Sequence, residues 1–127
     1  MGSQIQDLWG ETVATVEVHT PTTLLRQQAS LLGPKTKNLV EAEVTTTSSG
    51  ADIVHSFNLV VPTLDGYTYR LFRLMTRGPS LYPLDITEGP DKGSSLRNEV
   101  ELINYLRRVL GSPETTQLVG ALKAQAQ

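Results

Sequence analysis

The chain contains no cysteine. Disulfides, zinc–thiolate sites, iron–sulfur clusters and cysteine nucleophiles are therefore excluded. Charge is sparse as well: Asp, Glu, Lys and Arg make up 19% of the 127 residues and leave a net charge of −2. There is no basic footprint, so nucleic acid is not an expected partner. Charged residues fall below the usual one-quarter or so, which leaves uncharged surface and favours a partner over a free monomer. No apolar run approaches the roughly 18 residues of a membrane span, so no membrane association is expected. The opening "MGSQIQDLWGE" has no basic segment followed by an apolar run and does not read as a signal peptide. A cytoplasmic, bacterial protein is the default expectation.

Motifs are missing too. No GxGxxG, GxxxxGK[ST], GxSxG or HExxH occurs, and the two histidines, His19 and His55, stand 36 positions apart. No metal and no cofactor is expected. The Gly-Pro-Asp-Lys-Gly turn at 89–93 lacks the strand-to-helix context of a phosphate loop. The acidic pairs Glu41/Glu43 and Glu99/Glu101 read as solvated faces rather than as carboxylates converging across a cleft.

What remains is one domain, residues 1–127, with 1–10 and 123–127 expected to be frayed or flexible. A chain of this length buries about two-thirds of its surface without staples. In "ETVATVEVHT", Ala14, Val16 and Val18 alternate with Thr15, Glu17 and His19, which predicts a strand over 12–19. Ile5, Leu8 and Trp9 have helical spacing. "TPTTLLRQQASLLGP" carries a Thr20 cap, Pro21 at the first helical position and a Gly33-Pro34 stop, with Leu24, Leu25, Gln28, Leu31 and Leu32 as its inward stripe. "NLVEAEVTTTSSGADIVHSFNLVVP" reads as a hairpin turning at Ser49-Gly50. Its inner rows are Val40, Ala42 and Val44 against Ile53, His55, Phe57, Leu59 and Val61, pairing Val44 with His55, Ala42 with Phe57 and Val40 with Leu59. A loop at Asp65-Gly66 leads into "YTYRLFRLMTR", a third strand. Irregular chain follows, with Leu84 to Thr87 as a short edge strand. "SLRNEVELINYLRRVLGS" predicts a helix capped by Ser95 with Leu96, Val100, Ile103, Leu106 and Leu110 buried. A last helix opens at Ser112-Pro113. The pattern is α+β: an antiparallel sheet of about four strands, three in a meander, with helices packed on one face.

Parity through a three-residue Asp65-Gly66 loop turns Tyr67, Tyr69, Leu71, Arg73 and Met75 inward. It brings Arg73 near His55 and Tyr69, opposite Phe57; a five-residue loop sets Arg73 opposite His55. An inward guanidinium needs a carboxylate, water or an anionic ligand, and the plainer reading is an Arg73 at the sheet margin with its head in water. His55 reads either as a bonded core histidine or as a pocket acid–base. The same parity turns Phe72 and Leu74 outward beside Val54 and Val60, as a part-apolar face suited to a homodimer. The expected function is therefore non-catalytic binding of a protein partner, of a second copy or of a small anionic ligand. The alternative is a small hydrolase or transferase using His55 and Arg73 in a pocket between sheet and helices, under a lid of residues 79–95.

Overall fold

The computed structural model of the chain describes residues 6, 8–10 and 20–127; the strand expected over 12–19, and Ile5 of the helical spacing, lie outside the described residues. In chain order the elements are α1 (Pro21–Ala29), α2 (Leu32–Lys35), β1 (Glu41–Ser49), β2 (Asp52–Val61), β3 (Tyr67–Thr76), β4 (Leu84–Glu88), β5 (Ser95–Leu96), α3 (Glu99–Leu110) and α4 (Pro113–Ala126). The strands form one antiparallel sheet in the order β1-β2-β3-β4-β5. Among the described residues the α+β meander thus has five strands where about four were expected, one of them over 12–19; the strand that was not expected is β5, where Ser95 and Leu96 pair with Asp85 and Leu84. Among the described residues no helix is long and apolar enough to cross a membrane.

α1 begins as its sequence dictates. The Thr20 hydroxyl accepts from the Thr23 amide at 3.1 Å, and Pro21 fills the first turn, where no amide is needed. Its end differs from expectation. The helix stops at Ala29, and Gly33 and Pro34 lie inside α2. Proline is tolerated there because α2 is a single turn, whose amides have no intrahelical acceptor. The break rotates the apolar stripe, so Leu25 and Ala29 are buried while Leu31 is half exposed.

α3 also starts later than Ser95. Asn98 is the cap, its side chain accepting from the Glu101 amide at 3.0 Å, and Glu101 reaches back to the Arg97 amide at 2.9 Å. The buried stripe is Leu102, Tyr105, Leu106 and Val109; Val100 is 66% exposed and Ile103 36%. Both stripes have helical spacing and share Leu106, so periodicity alone does not separate them.

The β1–β2 hairpin keeps its expected faces but slides by one pair. Its turn is Gly50-Ala51, with Gly50 at φ 62°, and the pairs are Thr46 with His55, Val44 with Phe57 and Ala42 with Leu59. β2 and β3 are joined by the five residues 62–66 and pair regularly from Val61–Tyr67 to Asn58–Arg70. There the register breaks: Leu71 is an extra residue, and Phe57 faces Phe72. Such a bulge reverses the side of everything after it. Phe72 and Leu74 join the helix face, and Arg73 and Met75 turn away from it.

The main core lies between the sheet and the helices. Leu25 of α1 and Leu102, Tyr105 and Leu106 of α3 pack on Phe57, Phe72, Leu74 and Ile86. Phe57 and Phe72 stack at 5.1 Å, and Tyr105 meets Phe72 edge-on at 5.4 Å. A second cluster sets Leu122 of α4 on Val40, Leu59 and Val61.

Candidate functional site

His55 sits on the helix face of β2 and is only 4% exposed. The N-terminus of α1 brings the Thr22 hydroxyl to 3.3 Å from its Nδ1, and β1 brings the Thr46 hydroxyl to 3.2 Å from the same atom. Burial pushes the imidazole pKa below its ordinary value, and the nearby Arg26 guanidinium pushes it the same way. The group is therefore a neutral, hydroxyl-bonded side chain that joins α1 to the β1–β2 hairpin.

This has a consequence for stability. In the unfolded chain His55 titrates at its ordinary 6.5, whereas the folded state holds it lower. Well above pH 6.5 both states carry a neutral ring and no difference arises. As pH falls through 6.5 the unfolded chain takes up the proton first, so the folded state loses stability. His55→Asn keeps an acceptor for the two hydroxyls and cannot titrate. Urea midpoints measured from pH 7.5 to 5.5 should show the wild type losing ground to this variant as the pH drops. A constant gap between the two would refute the assignment.

Arg73 is not beside His55, contrary to the sequence expectation. It pairs with Ser56 on the face away from the helices, and the Leu71 bulge is the reason. Its guanidinium donates to Glu88 at 3.2 Å, and Arg70 donates to the same carboxylate at 3.1 Å. Hydrogen bonding from Arg70, and secondarily from Arg73, holds the Glu88 carboxyl below the usual range. Further along the face, Arg77 is bidentate to Asp85, which also accepts from Ser95 at 2.6 Å. The arginines of "YTYRLFRLMTR" thus form an ion-pair row with the carboxylates of β4.

Tyr69 lies ahead of the bulge, opposite Leu59, so it stays on the helix face and is 41% exposed. His55, Arg73 and Tyr69 do not converge. Phe72 and Leu74 are corrected as well: both are fully buried in the core and present no outward surface. Val54 and Val60 do lie on the face away from the helices, opposite Met75 and Thr68; Val54 is buried and Val60 half-buried. The span expected as a lid is in part β4 and β5, paired into the sheet. Among the described residues no three histidine or carboxylate side chains cluster as a metal site would require.

The structure shows instead a groove that sequence reasoning missed. β4 pairs only with Arg73–Thr76 of β3, so Tyr67–Phe72 have no strand partner on that side among the described residues. The chain leaves β4 at Gly89, which crosses against Leu71 and Phe72. Beside this half-edge lies a groove of about 700 Å³, walled by Tyr69 and Arg70 on one side, by Arg108, Glu114 and Leu118 of the helices on the other, and closed by Gly89-Pro90. The Arg108–Asp91 ion pair ties α3 to the turn that follows. The one signal in the sequence is length: the edge strand expected over Leu84 to Thr87 is much shorter than the third strand beside it, which leaves part of the longer strand without a partner on that side among the described residues.

Compared with protein-family models, curated proteins and solved structures, the chain matches none.

Proposed function

We propose that the chain is a non-catalytic binding domain that takes up an extended segment of a partner protein along the open half of β3. The observation that carries this reading is the edge at Tyr67–Arg70, bare on the β4 side among the described residues, beside a groove with apolar and charged walls. An unpaired strand edge is a template for another strand, whose main chain gives affinity while adjoining pockets select alternate side chains. Tyr69 and Leu118 supply apolar contact for such a segment, and Arg70, Arg108 and Glu114 supply charges that fix its direction. The acid–base alternative has less to stand on, because His55 and Arg73 occupy opposite faces.

The test is selection of a displayed library of random 12-residue peptides on the purified chain. Selected peptides should perturb the amide signals of Tyr67–Arg70 and protect them from exchange, and Leu118→Arg should weaken binding at least about tenfold, as loss of a buried apolar contact implies. Selected peptides whose signals map elsewhere, or whose affinity survives Leu118→Arg, would overturn the proposal. So would a library that yields no binder.

A further inference from the structure

A second concavity lies on the helix face, between the helix pairs. It shares only Leu71 and Thr115 with the groove beside β3. Its floor is Phe57, Leu59 and Leu71, and its walls include Leu31 of the α1–α2 break and Val119 of α4. The volume is about 460 Å³, with an adjoining pocket of about 320 Å³ between Leu24 and Ile103. Both are within or near the range of small-molecule sites. Leu31 is 50% exposed here, a large apolar side chain held in water at the mouth of an apolar floor.

The charge at this cleft has one sign. Lys35 from α2 and Lys123 from α4 line it on opposite sides, and Arg107 lines the adjoining pocket. Among the described residues no carboxylate lines either space, although the chain as a whole carries a net charge of −2. Among the described residues neither lysine has an acidic partner. An apolar trough flanked by two ammonium groups that have no acidic partner among the described residues matches a ligand with an apolar tail and an anionic head. We propose that this cleft binds a single-chain anionic amphiphile, a long-chain carboxylate, with its tail along Phe57, Leu59 and Leu71 and its head between Lys35 and Lys123.

The site is separate from the peptide groove, so either proposal stands if the other fails. Gly120 gives a direct means of closing it. The residue lines the cleft from within α4, and an added Cβ there meets nothing within 4 Å. Gly120→Leu therefore adds an apolar side chain at the wall of the cleft without a clash at its Cβ while improving helix propensity, and circular dichroism with a melting curve confirms that the variant is folded.

Saturated carboxylates of about eight to fourteen carbons, each below its micelle concentration, would be titrated into the full chain by calorimetry. Each added methylene should tighten binding about fourfold until the tail fills the cleft. The uncharged alcohol of matched length should bind at least about tenfold more weakly, as expected for loss of a charge-assisted contact. Lys35→Gln with Lys123→Gln should remove that difference, and Gly120→Leu should abolish binding. The proposal is overturned by absence of binding, by equal affinity for acid and alcohol, or by wild-type affinity in folded Gly120→Leu. Self-association that is lost in Gly120→Leu, with no carboxylate bound, would give the cleft to a second copy instead.

Discussion

Phe72→Ala should destabilise the fold by about 3–5 kcal/mol, the range for deleting a buried aromatic ring. Phe72 is fully buried, stacked on Phe57 at 5.1 Å and met edge-on by Tyr105 at 5.4 Å. It is the contact through which α3 grips the centre of the sheet. Tyr105 is itself fixed from the far side, its hydroxyl donating to the Pro90 carbonyl at 2.8 Å, and burial pushes that hydroxyl's pKa up to about 12. The ring cannot swing to fill the space that Phe72 leaves without giving up that bond, so the cavity should persist and the cost should lie towards the upper end. Arg73→Ala is the matched control. Its guanidinium is 36% exposed and shares Glu88 with Arg70, so its loss should cost less than about 1 kcal/mol. Equilibrium urea unfolding of the two variants decides the matter. If Arg73→Ala proves the more damaging, the assignment of sides in β3 is wrong.

That contrast also marks where the sequence stops being legible. In the β1–β2 hairpin the turn lies at Gly50-Ala51 rather than Ser49-Gly50. Sliding a two-residue turn by one residue changes every pairing partner but leaves every side chain on its expected face, because the pairs move by two. His55, Phe57 and Leu59 therefore lie on the inner row as expected but with other partners than expected. A bulge does the opposite. One extra residue at Leu71 reverses the face of Phe72, Arg73, Leu74 and Met75 together. Nothing in "YTYRLFRLMTR" punctuates that position, since no glycine or proline marks the bulge. What identifies it is tertiary. With Leu71 and Phe72 both on the helix side, Leu74 joins Leu84 and Ile86 in the core, and the arginines reach the carboxylates of β4. The expected α3 stripe is met only in part, with Leu96 and Leu106 buried and Val100 exposed, for a related reason. Leu96 and Ile103 fit a helical face, yet Leu96 was claimed by strand pairing with Leu84, which delayed the helix until the Asn98 cap. The candidate site was least legible of all, because the open half of β3 exists only through where β4 ends.

Gly89→Ala should be the most damaging single-methyl addition among the glycines of the described chain, at roughly 3 kcal/mol or more. Two costs combine. The residue has φ 99°, where an L side chain is strained by about 1–3 kcal/mol. The new Cβ would also stand 2.7 Å from the Leu71 carbonyl oxygen and 2.8 Å from the Phe72 Cβ. The obstructing atoms belong to the backbone and core of β3 at its bulge, so neither can yield without disturbing the Phe57–Phe72 stack. Gly93 separates the two costs. It has φ 96° in the same turn, but an added Cβ there meets nothing within 4 Å. Gly93→Ala should therefore show the conformational strain alone, and the difference between the variants measures the close approach at Gly89. Urea midpoints for the pair, read with unchanged slopes, supply that difference. Equal costs would mean that the turn does not press on β3, and the wall that closes the peptide groove would have to lie elsewhere. A large excess at Gly89 would show why β4 ends where it does: only glycine lets the chain cross that close to the bulge, and the crossing leaves Tyr67–Arg70 without a strand partner on the β4 side among the described residues.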